Sequence, residues 1–235
     1  MRFLWLFAFL VFGSISVNAQ EVEDYTLIGA GVRTRPAYDG SKKQTTEVVP
    51  VLRYYGKTLF ARTTQGILEA GARTEAAPGV ALGVQLAYEA GRRRGPGTHD
   101  VDSGASIGAH VEWDAEAGPV PLVLLARVRQ NADRDHGAQA DARVTAGVYQ
   151  DDALVVGVFT QATWASRRAL RAYYETGGSG LLHAGVGLLA TYRLGASWTL
   201  LGSVEGRRLQ GEAKDSPLAQ RRSNVYAGAG LAYRF

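Results

Sequence analysis

The stretch NVYAGAGLAYRF, Asn224–Phe235, alternates between two kinds of residue over its whole length. Counting back from Phe235, every second residue is apolar, and the residues between them are mostly small or polar. A period of two is typical of a β-strand that has one face in an apolar environment. Terminal residues usually fray in soluble domains, so a regular strand ending in Phe indicates a terminus used in folding or assembly.

The same alternation recurs along the chain, for example in GVALGVQLAYE at residues 79–89 and in LVVGVFTQATW at residues 154–164. These runs reach about ten residues, whereas strands of soluble sheets usually have five or six. The pattern predicts twelve strands, at residues 25–34, 47–55, 58–63, 66–73, 79–90, 103–114, 119–130, 137–150, 153–165, 182–193, 197–208 and 224–235.

Alternating strands fit either a soluble sandwich or lipocalin-like barrel, or a membrane barrel whose apolar face meets lipid. Charged residues in mid-strand on the non-apolar face favour the membrane barrel, because they can pair with one another in its lumen. These charged residues are Glu112, Arg127, Asp141, Arg143 and Glu205.

Loop lengths favour the membrane barrel as well. Connections after even-numbered strands are short, such as YGK at 55–57 and QDD at 150–152, and the long connections follow odd-numbered strands. Outer-membrane barrels have this asymmetry, with their short turns in the periplasm. We therefore expect an all-β fold: a transmembrane antiparallel up-and-down β-barrel of about 12 strands, with short periplasmic turns and long extracellular loops. The short connection at Thr63–Gln65 leaves ten strands as an alternative.

Aromatic residues at the strand ends indicate girdles at the membrane interfaces. The outward positions near the short turns are Tyr54, Trp113, Tyr192, Trp198, Tyr233 and Phe235, and those near the long loops are Tyr88 and Trp164.

The first nineteen residues differ from the rest. Met1-Arg2 precedes the apolar run FLWLFAFLVF, and small residues follow at Ser16–Ala19. This pattern predicts a secretory signal peptide at 1–19, since the run is too short for the alternative of a membrane anchor. The mature chain is then a barrel over residues 20–235, exported to the outer membrane of a Gram-negative bacterium.

Composition excludes several classes of function. The 235 residues include no Cys, which rules out disulfides and Cys-ligated metal sites. The net charge is +4, but basic helical runs and basic–aromatic interleaving are missing, so we expect no nucleic-acid partner.

The residue pattern predicts no catalytic site, cofactor or metal. The sequence His-x-Ser, in which a His activates a Ser, does not occur at any of the four His. His110 and Glu112 share a lumen face and could form an acid–base pair, but a buried polar contact is the favoured interpretation. Asp133, Asp135 and His136 lie in a predicted loop. We expect a lumen network formed by His110, Glu112, Arg127, Asp141 and Arg143.

Arginine clusters map to the long-loop rim, at Arg92–Arg94, Arg167–Arg168, Arg207–Arg208 and Arg221–Arg222. Arg binds phosphate in a bidentate way, so outer-membrane lipid and lipopolysaccharide are expected partners there. Ordinary solvation of charged loops is the alternative.

Three motifs resemble those of the MipA/OmpV family. They are GAGVRTRPAYDGS at 29–41, YYETGGSGL at 173–181 and LQGEAKDSPL at 209–218. The last strand also resembles the C-terminal signal of outer-membrane proteins, which implies that the barrel-assembly machinery binds it through Phe235. The family resemblance implies a non-enzymatic barrel that scaffolds a lytic transglycosylase and a murein polymerase. The alternatives are a small-solute pore and a ligand-binding or adhesin-like protein.

The family motifs fall at the long-loop rim, whereas a murein scaffold would present its surface to the periplasm. Strands 1, 2, 11 and 12 are neighbours in a closed barrel, so the first and last long loops should meet. We expect a cap or binding motif there, with Arg35 close to Asp215. Its candidate residues are Arg35, Pro36, Tyr38, Gly40, Asp215, Ser216 and Pro217.

Overall fold

A computed structural model describes residues 26–64, 67–89 and 103–235. The predicted signal peptide at 1–19 lies outside these residues, as do Arg92–Arg94. Within the described residues the chain forms twelve strands. They are β1 (Leu27–Pro36), β2 (Gln44–Tyr55), β3 (Leu59–Thr64), β4 (Ile67–Ala77), β5 (Val80–Glu89), β6 (Gly104–Ala117), β7 (Val120–Asn131), β8 (Ala138–Gln150), β9 (Leu154–Ala165), β10 (Gly180–Leu194), β11 (Trp198–Leu209) and β12 (Ser223–Arg234).

Each strand pairs antiparallel with its neighbours in sequence, and β1 pairs with β12 to close the barrel. The closing register runs from Leu27 opposite Arg234 to Thr34 opposite Ala227. The fold and the count of twelve are therefore as the alternation predicts. The ten-strand alternative is excluded because β3 and β4 are separate paired strands.

The two faces of the wall differ as the period of two requires. Outward aliphatic side chains are exposed, as at Leu86, which is 63 % exposed, and inward polar side chains are buried, as at Glu69, which is 0 % exposed. The predicted aromatic residues point outward at both rims. Tyr233 also contacts Trp198 and Phe235 edge to face, with ring centroids 5.3 and 4.9 Å apart, respectively. No described helix is long and apolar enough to cross a membrane.

The two rims differ in the length of their connections. The short-turn rim has connections of two or three residues, such as those at 118–119 and 151–153. The long-loop rim carries α1 (Arg167–Tyr174) and 3-10 turns at Arg134–His136 and Gly211–Asp215. Residues 166–180 lie between the ninth and tenth predicted strands, where a loop is expected, and the helix α1 is the main difference from that expectation.

Candidate functional site

The lumen is crossed by a network of charged side chains on β3–β8, which we call the wall network: Arg62, Glu69, Glu112, Arg127, Arg129 and Asp141. Glu69 lies between Arg62, at 3.2 Å, and Arg127. Arg62 also binds Glu112 at 2.7 Å. These contacts join β3 to β6 and β4 to β7, which are not adjacent in the barrel, so the side chains reach across its interior.

Asp141 completes the wall network. Its carboxylate is 2.9 Å from Arg127 and 3.0 Å from Arg129, and it accepts a hydrogen bond from Thr163 at 2.8 Å. A buried carboxylate is tolerated when paired charges and hydrogen bonds satisfy its oxygens, and removing one partner leaves an uncompensated charge.

A second charged group faces the lumen from β1, β2 and β11. Arg33 and Arg35 share the carboxylate of Glu47, with Arg35 Nε 2.9 Å from it. Arg207 pairs with Glu205 at 2.7 Å. Glu205 also accepts a hydrogen bond from Gln161 of β9 at 2.6 Å, which again joins non-adjacent strands.

The predicted lumen residues are inside the barrel, but two of them have other partners than the sequence suggested. His110 hydrogen-bonds Gln85, whereas Glu112 pairs with Arg62, so His110 and Glu112 do not form an acid–base pair. The guanidinium of Arg143 lies 3.9 Å from the ring centroid of Phe159.

The long connections fold over the barrel mouth as a cap, which we define as residues 37–43, 166–179 and 210–222. Asn224 ties the first connection to β12, because it accepts from the Gly40 N–H at 2.6 Å and donates to the Ser41 carbonyl at 2.8 Å. Gly40 has φ +96°, a conformation that favours glycine. The Tyr38 hydroxyl donates to the Leu218 carbonyl at 3.0 Å.

Helix α1 joins the three connections. Its N-cap Ser166 accepts a hydrogen bond from the Ala169 N–H at 3.3 Å. Leu170, which is 1 % exposed, and Tyr174 pack into a small apolar cluster with neighbouring residues of β9–β11. The Tyr174 hydroxyl donates to the Asp39 carbonyl at 3.2 Å, and Ser216 donates to the Tyr174 carbonyl at 2.5 Å.

The first and last long loops meet as expected, but the expected contact of Arg35 with Asp215 is wrong. Arg35 turns into the lumen to Glu47 and also donates to the Pro36 carbonyl at 3.2 Å. Asp215 pairs with Arg222 at 3.1 Å on the surface, where both side chains are 59 % exposed. Pro36 is buried under the cap and Pro217 is exposed.

A cavity of about 190 Å³, which we call the chamber, lies between the wall network, the second charged group and the cap. Another of about 360 Å³ lies lower in the lumen beside Phe159, Leu189 and Gly228. The alternation of residues along each strand indicated which side chains face the lumen. It did not predict that Asp39, His183 and Tyr226 line the chamber. In the described part of the chain, no group of three or more His, Cys, Asp or Glu is placed to hold a metal ion.

Asp133, Asp135 and His136 lie in the 3-10 turn between β7 and β8. Asp133 caps the turn by accepting from the Asp135 N–H at 3.0 Å, and its carboxylate is 3.6 Å from His136 Nε2. These contacts lie within the turn and stabilise it, so we assign the three residues a structural role.

Comparison with known proteins gives a family and a fold. A family model described as MltA-interacting protein MipA matches residues 28–235. The NanC porin structure has 10 % identity and a TM-score of 0.53, over 89 % of this chain and 100 % of that chain. An outer-membrane channel from Pseudomonas putida F1 has 11 % identity and a TM-score of 0.55, over 89 % of this chain and 95 % of that one. At identities of 10 % and 11 %, the similarity to these two structures concerns the fold alone. No curated protein sequence matches the chain.

Proposed function

The chain belongs to the MipA family, and from this premise we propose that it is a non-enzymatic scaffold for murein-processing enzymes. The chain is a barrel of the Gram-negative outer membrane. The family match over residues 28–235 carries the proposal, because the family description names an MltA-interacting protein. The partner proposed for this chain is a lytic transglycosylase of that type, together with a murein polymerase.

The side chains inside the barrel favour a function at the surface of the protein over transport through its lumen. Side chains of the wall network cross the lumen, and the cap lies over its outer mouth. The motif residues Tyr38, Gly40 and Ser216 are engaged within the cap. The family motifs at the long-loop rim thus have a structural role, and the short-turn rim is left to bind a periplasmic partner.

The short-turn rim offers a polar groove for such a partner. The groove is lined by Asp152, Arg193, Gly195, Arg234 and Phe235, with the Arg193 side chain donating to the Asp152 carbonyl. Short turns of outer-membrane barrels face the periplasm, where murein lies. Charges at the edge of an interface steer association and select partners.

Capture of the purified barrel on an immobilised lytic transglycosylase of the MltA type tests the proposal. We expect Arg193→Glu to weaken capture, because it reverses a charge in the groove. Arg222→Glu is the matched control, since it reverses an exposed charge at the opposite rim. Failure of the wild-type barrel to bind would overturn the scaffold proposal, and equal loss with both variants would overturn the assignment of the groove.

We further propose that the barrel itself does not cleave murein. Incubation of the purified barrel with murein sacculi should release no soluble fragments, whereas the transglycosylase alone releases them. Release by the barrel would contradict the proposal.

A pore for small solutes is the second candidate. Two cavities inside the barrel, of about 190 and 360 Å³, favour it. Conductance across a planar bilayer separates the two functions.

A further inference from the structure

The cavity beside Phe159, Leu189 and Gly228, which we call the lower cavity, has apolar walls. The interior of an outer-membrane barrel is usually polar. Here four aliphatic side chains face inward, because they alternate with outward residues in step with the lumen residues Glu47 and Glu205. They are Val49, Val51, Leu189 and Leu201. This part of the lumen is therefore suited to the apolar part of a ligand.

Arg143 of β8 lines the lower cavity and has unused hydrogen-bond donors. Its guanidinium stacks on the ring of Phe159, 3.9 Å from the centroid. Within the described part of the chain, the nitrogens of Arg143 make no hydrogen bond and no ion pair. Nε is enclosed, whereas the two terminal nitrogens have accessible surface. Stacking uses a face of the planar group and leaves the N–H groups at its edge free to donate.

The other charged side chains that line the lower cavity already have partners. Arg33 pairs with Glu47, and Arg207 pairs with Glu205. Glu205 also accepts a hydrogen bond from Gln161. A guanidinium inside a protein is unfavourable without a paired anion, and most polar groups there are satisfied. Arg143 therefore points to an anionic group that a ligand supplies.

We propose that the lower cavity binds a straight-chain carboxylate. The carboxylate accepts hydrogen bonds from the terminal nitrogens of Arg143, and the alkyl chain lies against the inward aliphatic side chains. An apolar cavity of about 150 Å³ holds benzene, so a cavity of about 360 Å³ accommodates a chain of about six to eight carbons. This inference is independent of the scaffold function, which concerns the surface of the short-turn rim.

Equilibrium dialysis of radiolabelled hexanoate against the full-length barrel in lipid nanodiscs tests the proposal, and empty nanodiscs measure uptake by the lipid. Unlabelled competitors form a matched set. Hexanamide has the same chain without the charge, acetate has the charge without the chain, and hexylammonium has the opposite charge. We expect hexanoate to displace the label at a concentration at least about tenfold lower than any of these, because each lacks either the charged hydrogen bonds or the buried methylene groups.

A first pair of variants tests the role of the guanidinium. Arg143→Met keeps an unbranched side chain over Phe159 and removes the donors, and it should weaken hexanoate binding by about tenfold or more. Arg73→Met is the matched control. Arg73 also stacks on an aromatic ring, that of Tyr55 at 4.4 Å, but it does not line the lower cavity, so the affinity should be unchanged.

A second pair of variants tests the position of the site. A Cβ at Gly228 would lie 3.5 Å or more from its nearest neighbours, so Gly228→Leu can extend into the cavity and should weaken binding. Gly206→Leu adds the same side chain on the outer face of β11, where a Cβ would lie 4.0 Å from its nearest neighbour. This control should bind hexanoate as the wild type does.

Heat-dependent migration on gels shows whether each variant still forms the barrel. The proposal is overturned if wild-type nanodiscs take up no more hexanoate than empty ones up to about 10 mM, a concentration at which even a weak specific site is occupied. It is also overturned if any of the three competitors is as effective as hexanoate. Wild-type affinity in folded Arg143→Met or Gly228→Leu, or equal losses in the two controls, would overturn the assignment to the lower cavity.

Discussion

At the scale of single residues, Glu69 is the centre of the wall network. It is 0 % exposed and contacts both Arg62 and Arg127. Both guanidinium groups share this one carboxylate, and each has one further carboxylate partner, which is Glu112 for Arg62 and Asp141 for Arg127. The negative charge of Glu69 therefore helps to balance the positive charges of both Arg62 and Arg127.

We predict that Glu69→Ala destabilises the barrel by about 3–5 kcal/mol, because it leaves two buried cations without their shared partner. Urea unfolding in lipid vesicles, followed by the change in gel migration, measures this. Asp215→Ala, which breaks the exposed pair with Arg222, should cost only about 0–1 kcal/mol. Equal effects of the two substitutions would show that the wall network does not stabilise the fold.

A second residue-scale prediction concerns Asp151 in the turn between β8 and β9. Its carboxylate accepts hydrogen bonds from the backbone N–H groups of Leu154 at 2.7 Å and Ala153 at 2.8 Å, and from the Tyr149 hydroxyl at 2.7 Å. These bonds, led by the one from Leu154, lower the pKa of Asp151. Because the folded pKa is depressed, the stabilisation is present above the unfolded pKa of about 3.9 and is lost as the pH falls through the folded value.

The amide NMR signals of Ala153 and Leu154 should therefore stay constant down to about pH 4 and move only below it. Asp151→Asn keeps an acceptor oxygen without the titration, so the shifts should vanish in that variant. A midpoint above pH 4 in the wild type would contradict the prediction.

The sequence predicted which charged residues face the lumen but not which of them pair. Parity placed Arg127, Asp141 and Glu112 inside correctly because the side chains of a strand alternate. The pairings of Arg62 with Glu112 and of Arg127 with Glu69 cross between non-adjacent strands. Such contacts depend on the diameter of the barrel and on side-chain rotamers, which strand periodicity does not contain.

At the scale of elements, the cap combines a feature that the sequence predicted with one that it missed. The meeting of the first and last long loops follows from the neighbouring strands β1 and β12. The sequence did not predict helix α1, because eight residues are too few for periodicity to identify a helix. The stability of the helix comes from burying Leu170 and Tyr174. The Ser166 N-cap was the local signal that could have identified it.

We predict that Asn224→Ala releases the loop at 37–43, because two hydrogen bonds to Gly40 and Ser41 are lost at a buried site. Trypsin added outside the cell should then cleave after Lys42 or Lys43 more rapidly than in the wild type, since exposed loop tips are cut first. Asp215→Ala should leave the digest unchanged, because Asp215 pairs with Arg222 rather than with this loop. Unchanged cleavage in Asn224→Ala would mean that the other contacts of the cap suffice to hold the loop.

At the scale of the whole molecule, the closure of the barrel and the side chains inside it determine whether ions and small solutes can pass through the lumen. Pairing of β1 with β12 closes the ring of the twelve described strands, which matters in lipid because unpaired backbone groups are costly there. Twelve strands lie between small barrels filled by side chains and large barrels with an aqueous channel. The number of strands alone thus does not determine conductance, and the side chains inside the lumen do.

We predict that the wild-type barrel shows no stable open-channel steps in a planar bilayer, because the wall network crosses the lumen beneath the cap. The double variant Glu69→Ala, Arg127→Ala removes a crossing pair together, which avoids leaving either charge alone, and should increase ion conductance. A double variant of the exposed pair, Asp215→Ala with Arg222→Ala, should remain as silent as the wild type. Stable steps in the wild type would favour the pore over the scaffold, since ions would then pass despite the crossing side chains.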